Sequence, residues 1–158
     1  MAVVATTPGF DRLPPPNLDA ERGVLGSVLL MNDVLDEVAD VLAADHFYTD
    51  AHRKIFSAIR RLYDNGAQAI DPLTLAEELD RHSQLEDIGG TAYLEQVLES
   101  VPHAGHARYY AGIVREQGVQ RQLIFACNAT LPECYAGSND PDHVLPAADQ
   151  RTVRIPHA

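Results

Sequence analysis

The chain has 158 residues and a formal charge of −11, with 12 basic residues against 23 acidic ones. That length and a hydrophobic share of 46% suit one folded domain with a real core, or a small domain with an appendage. So acidic a chain does not wrap nucleic acid by bulk electrostatics. Two cysteines are too few for a disulfide framework, so a reducing cytoplasm is expected. No stretch approaches the ~18 consecutive apolar residues of a membrane span, so no membrane association is expected.

Residues 1–16, MAVVATTPGFDRLPPP, have no basic stretch and no long apolar run, so they do not read as a signal peptide. Pro14-Pro15-Pro16 favours an extended, flexible lead. The first helix is expected from about Leu18 to Leu30, capped by Asn17 or Asp19, with Asp19 and Glu21 at its positive end. Its apolar stripe is Leu25, Val28 and Leu29, and Gly23 and Gly26 permit close packing. A short helix follows from about Asp33 to Leu42, with Asn32 as its cap. Thr49 caps a third helix, whose face carries Ile55, Phe56, Ile59, Leu62 and Tyr63 before Asn65-Gly66 ends it. Asp71-Pro72 starts a fourth, with Leu75, Ala76 and Leu79 inward. After Gly89-Gly90, a fifth carries Tyr93, Leu94, Val97, Leu98 and Val101, and Pro102 closes it.

From about Ala104 to Ala136 the pattern changes to one long helix. Tyr110, Ile113, Ile124, Cys127 and Leu131 form one stripe, and Tyr109, Val119, Leu123 and Ala126 form a second beside it. Two adjoining apolar stripes with little sequence left to cover them call for a partner. A turn at residues 137–141 leads to a last helix over about His143 to Ile155, with Val144, Leu145, Ala148, Thr152 and Ile155 apolar-facing. The fold expected is therefore all-α: a flexible lead over 1–16, a head of about five short helices over 17–102, and an extended antiparallel helical hairpin over 103–158. Charge follows this division. Residues 1–100 hold 7 basic and 18 acidic residues, whereas residues 101–131 hold Arg108, Arg115 and Arg121 against Glu116 alone.

Catalytic signatures are missing. Lys54, the one lysine, stands in AHRKIFSA with no glycine beside it, so no Walker A loop can form. No serine sits in a G-x-S-x-G setting. Seven histidines, among them His46, His52, His103 and His106, leave a metal-dependent enzyme as one reading, although neither HExxH nor CxxC occurs. The other reading places them at caps, on the surface or, for His52, in the core. Cys127 and Cys134, two turns apart, read as buried small hydrophobes. Glu77, Glu78, Asp80, Glu86 and Asp87 read as a solvated acidic face.

Four blocks in order carry a resemblance. LPPPNLDAERGVLGSVLL (Leu13–Leu30), ADHFYTDAHRKIFSAIRRLYDNG (Ala44–Gly66), IDPLTLAEEL (Ile70–Leu79) and IGGTAYLEQVLESVPHAGHARYYAGIVREQ (Ile88–Gln117) resemble the N-terminal domain of bacterial replicative DNA helicases of the DnaB family. VLPAADQRTVRI (Val144–Ile155) is loosely similar to that domain's closing helix. The resemblance implies a non-catalytic collar domain: a helical head and a hairpin that pairs between subunits, in dimers or a hexamer, and docks primase during DNA replication. It implies a helicase loader as a further partner and little direct DNA binding. ATP and Mg²⁺ then belong to the motor domain of the parent helicase, and no cofactor or metal belongs to these 158 residues. The interface candidates are Tyr109, Ile113, Ile124, Cys127 and Leu131 along the hairpin, with Tyr93, Asp19 and Glu21 near the head. A stand-alone regulator that binds a helicase or primase is the alternative. Three departures from the family pattern stand out: His106 in place of the usual asparagine, Pro132 inside the long helix, where it should end or kink it, and Pro146, tolerable only in a first turn.

Overall fold

The computed structural model describes residues 13–101, 104–136 and 140–155. Residues 1–12 of the expected lead over 1–16, the closing Pro102, His103, the tip of the hairpin turn and residues 156–158 lie outside the described residues. Those described form seven α-helices and three short 3₁₀ turns, with no strand. The helices are α1 (Leu18–Leu30), α2 (Leu35–Ala39), α3 (Asp50–Asp64), α4 (Pro72–Arg81), α5 (Gly90–Glu99), α6 (Ala107–Tyr135) and α7 (Pro141–Val153). The chain divides into two units, the head over Pro16–Gly118 and a second that holds the arms from Val119 onward together with Leu13–Pro15.

The head is built round α1. Asn17 caps it by accepting the Ala20 N–H at 2.9 Å. The expected stripe is wider than three residues: nine of the 13 residues are buried, so α1 is a core helix enclosed on most sides. Gly26 is what lets α5 approach. A Cβ there would lie 2.5 Å from the Val97 carbonyl oxygen and 2.1 Å from a Val101 methyl. Gly23 meets the Tyr110 ring in the same way. Phe47, Phe56, Ile55, Ile59, Leu75, Leu79, Leu94 and Val97 complete the core. Each such side chain contributes roughly 1.5–3 kcal/mol by leaving water.

Helix starts follow the expected caps. Thr49 accepts the His52 N–H, and Asp71 accepts the Thr74 N–H with Pro72 at the first helical position. Gly89 and Gly90, at φ 103° and 74°, turn the chain into α5 through conformations that side chains resist. Two details differ. The second helix is shorter than expected, a 3₁₀ turn over Asn32–Val34 followed by α2. Asn32 is not its cap. Its side chain donates to the carbonyls of Val28 and Ile70 and accepts the Ile70 N–H, pinning the α3–α4 connection to the end of α1. Tyr63 stands exposed rather than on the inner face, its hydroxyl donating to Asp36.

The head also extends further than residue 102. Ala107, Ala111 and Val114, spaced four and three apart, are buried in its core. Gln117 accepts the Asn17 N–H at 2.9 Å, and Gly118 lies against the His46 backbone. The first 12 of the 29 residues of α6 therefore belong to the head. Pro132 does not end α6, which runs on to Tyr135. The proline supplies no N–H to the helix, yet its carbonyl still accepts the Ala136 N–H and the helix continues past it. Pro146 is likewise inside α7, at its sixth residue.

Candidate interaction surface

The arms beyond Gly118 are two antiparallel helices, the distal part of α6 and α7. Arg151 locks them together. Its guanidinium donates to both oxygens of Glu133, at 2.6 and 2.9 Å, and to the Thr130 hydroxyl at 3.1 Å. This fork-on-fork geometry fixes orientation as well as distance. The guanidinium holds the Glu133 carboxyl below its ordinary pKa, and the carboxylate raises Arg151 in turn.

Grooves open on the surface of this pair. One, of about 340 Å³, is lined by Gln122, Phe125, Ala126, Ala129, Arg151, Arg154 and Ile155. Another, of about 350 Å³, is lined by Leu123, Ala126, Cys127, Thr130, Leu131, Cys134, Ala148 and Thr152, with no charged residue. Large apolar side chains stand in solvent along both arms: Leu123, Phe125, Leu131, Tyr135, Leu145 and Val153. Among the described residues these positions of the two helices are apolar and exposed at once. The same geometry corrects one expectation. Cys127 and Cys134 are exposed, free thiols rather than buried ones.

The candidate residues separate into three places. Cys127 and Leu131 share the uncharged groove, and Ile124 lies half-buried on the same arm. Tyr109 and Ile113 lie on the head portion of α6. Tyr109 is 69% exposed, and Ile113 helps line a head cleft of about 440 Å³ with Asn17, Asp19, Arg22, Ser100 and Tyr110. Asp19 is exposed there and pairs with Arg22. Glu21 is not a surface residue. It is 2% exposed, accepting the Tyr48 N–H at 2.9 Å on one oxygen and meeting His52 Nδ1 at 2.8 Å on the other. A carboxylate only accepts, so His52 donates from Nδ1 and its Nε2 faces the Tyr93 hydroxyl at 2.5 Å. Burial raises the Tyr93 hydroxyl above its ordinary pKa. Tyr93 is half-buried and packs on the core, and the trio ties α1, α3 and α5 together.

Glu78 also leaves the expected acidic face. It is 3% exposed, with Arg61 donating to it at 2.9 Å and Arg81 and His82 beside it. Among the described residues, no three His, Cys, Asp or Glu side chains gather as a metal site would need. No described helix is long and apolar enough to cross a membrane. Phe125, exposed and lining the first groove, lies off both apolar stripes of the sequence, a large aromatic on the more polar side of the helix.

Residues 13–116 match the model of the DnaB-like helicase N-terminal domain. The chain belongs to this family. A replicative DNA helicase DnaB of Mycobacterium leprae is 41% identical over 155 residues, which is 98% of this chain and 25% of that protein. A replicative DNA helicase DnaB of Geobacillus stearothermophilus is 37% identical over 145 residues, 92% of this chain and 32% of that protein. The chain thus spans a quarter to a third of the length of these curated relatives. Among solved structures, the N-terminal domain of DnaB helicase from Mycobacterium tuberculosis superposes with a TM-score of 0.82 at 38% identity, covering 89% of this chain and 98% of that one. A DnaB-like replicative helicase whose structure describes its interactions with primase superposes at 0.72, covering 89% of this chain and 32% of that one. At 22% identity this second likeness speaks for the fold alone. As a DnaB-type N-terminal domain, the chain has the all-helical architecture of the family.

Proposed function

We propose that this domain serves DNA replication in the cytoplasm as the non-catalytic collar of a replicative helicase, associating with itself through the hairpin and docking primase. The observation that carries this reading is the hairpin surface: grooves and exposed Leu, Phe and Tyr side chains on a helix pair with nothing among the described residues to cover it. Water-exposed apolar area of this kind is stabilised by a protein partner. The DnaB relatives support the setting, and the helicase structurally described with primase supports that protein as the docking partner. A loader is a further partner. Unwinding, with its ATP and Mg²⁺, belongs in this reading to the parent protein's motor domain.

Light scattering over a wide concentration range tests the self-association. The average mass should rise above that of one chain and level at a closed oligomer. Mixing the domain with the primase of the same organism should give a co-eluting complex. A single-chain mass at every concentration would overturn the oligomerisation, and separate elution would overturn the docking.

A further inference from the structure

Two thiols open on one hairpin groove. Cys127 and Cys134 line it together with Leu123, Ala126, Leu131 and Ala148. They cannot pair within a chain. Seven residues of helix separate them by about 10 Å, beyond the ~7 Å Cα separation that a disulfide tolerates.

We propose that Cys127 and Cys134 form disulfides with a second copy of this chain seated on that groove, so that oxidation locks the dimer. This rests on the hairpin self-association proposed above. Charge selects the face on which two copies meet. The head, Pro16–Gly118, carries eight basic against 18 acidic residues, so two copies approaching through their heads repel. The groove beside Phe125 would bring Arg154 against its own counterpart, Arg151 there being paired with Glu133. The thiol groove carries no charge on its lining, so two copies close there without like-charge contact. A twofold contact places one patch against itself. Thiols spaced evenly about Thr130–Leu131 then meet thiols of the other copy. Ala126 and Ala148 leave room for the close backbone approach that a disulfide needs.

The oxidant is a small disulfide such as oxidised glutathione. One cysteine attacks it, forming a mixed disulfide and releasing one glutathione thiol. A cysteine of the second copy then attacks the mixed disulfide and releases the other. Two protein thiols lose two electrons and two protons, and one glutathione disulfide becomes two thiols.

The test treats the 158-residue chain with oxidised glutathione and reads the products by non-reducing electrophoresis, beside sedimentation under reducing conditions. The expected product is a cross-linked dimer that a reducing agent reverses and that Cys127→Ser/Cys134→Ser lacks. Leu123→Asp/Leu131→Asp keeps both thiols and alters exposed positions. It should retain its helical circular dichroism and cross-link about tenfold more slowly or less, because the second thiol loses its high effective concentration. A dimer under reducing conditions that yields only glutathionylated protein would overturn the thiol pairing and leave hairpin association standing. Cross-linking equally fast in the aspartate variant would overturn it as random collision. A monomer under reducing conditions at every concentration would overturn both.

Discussion

Glu21 stands where the positive end of α1 favours an acid, and a surface role follows naturally from that position. The structure instead puts its carboxylate between the Tyr48 amide and His52, 31 residues away in sequence. No local pattern reveals so distant a partner. Removing the carboxylate takes away the acceptor of the Tyr48 amide and of His52 in the core, so Glu21→Ala should cost ~1–3 kcal/mol of unfolding free energy. Tyr93→Phe, which deletes one hydroxyl, should cost ~1 kcal/mol. Urea denaturation measures both. Glycines on α6 give a matched pair. A Cβ at Gly118 would lie 2.6 Å from His46 backbone atoms, whereas one at Gly112 meets nothing within 4 Å. Gly118→Ala should therefore destabilise by ~1–3 kcal/mol through overpacking. Gly112→Ala should stabilise by ~0.5–1 kcal/mol through helix propensity. Thermal melts of the two variants should move in opposite directions.

At the scale of elements, caps and periodicity made α1, α3, α4 and α5 legible, since each start signal sits a few residues before its apolar face. Pro132 misled because a proline's cost depends on what surrounds it. In α6 it lacks a backbone N–H to donate, without ending the helix. Pro132→Ala restores that donor and should stabilise the hairpin by ~1–3 kcal/mol, read as a later loss of helical circular dichroism on heating. The Arg151–Glu133 pair sets a pH dependence. Arg151 lowers the carboxyl's pKa, so the pairing is fully present above the ordinary value of 4.5 and is lost as pH falls through the lower folded value. Arg151→Gln should thus be less stable than the parent near neutrality, and the difference should vanish in acid below that range.

At the scale of the whole molecule, the charge of −11 resides almost entirely in the head. From Val119 onward three basic residues face four acidic ones. Single-stranded DNA should therefore bind weakly at physiological salt, and what binding occurs should fall steeply as salt rises, measurable by fluorescence anisotropy. The order of blocks made the fold and the family legible. The division between head and arms was less so, because α6 is one unbroken helix whose buried Ala107, Ala111 and Val114 look no different in sequence from the residues beyond Gly118. The thiols were misplaced for the same reason, since periodicity marks an apolar face without saying what covers it. A second copy supplies that covering. Sedimentation equilibrium of the chain and of its Leu123→Asp/Leu131→Asp variant measures whether it does. The parent should associate, and the variant should have the mass of a single chain and unchanged helicity. A parent that stays monomeric, or a variant that associates as strongly as the parent, would contradict it.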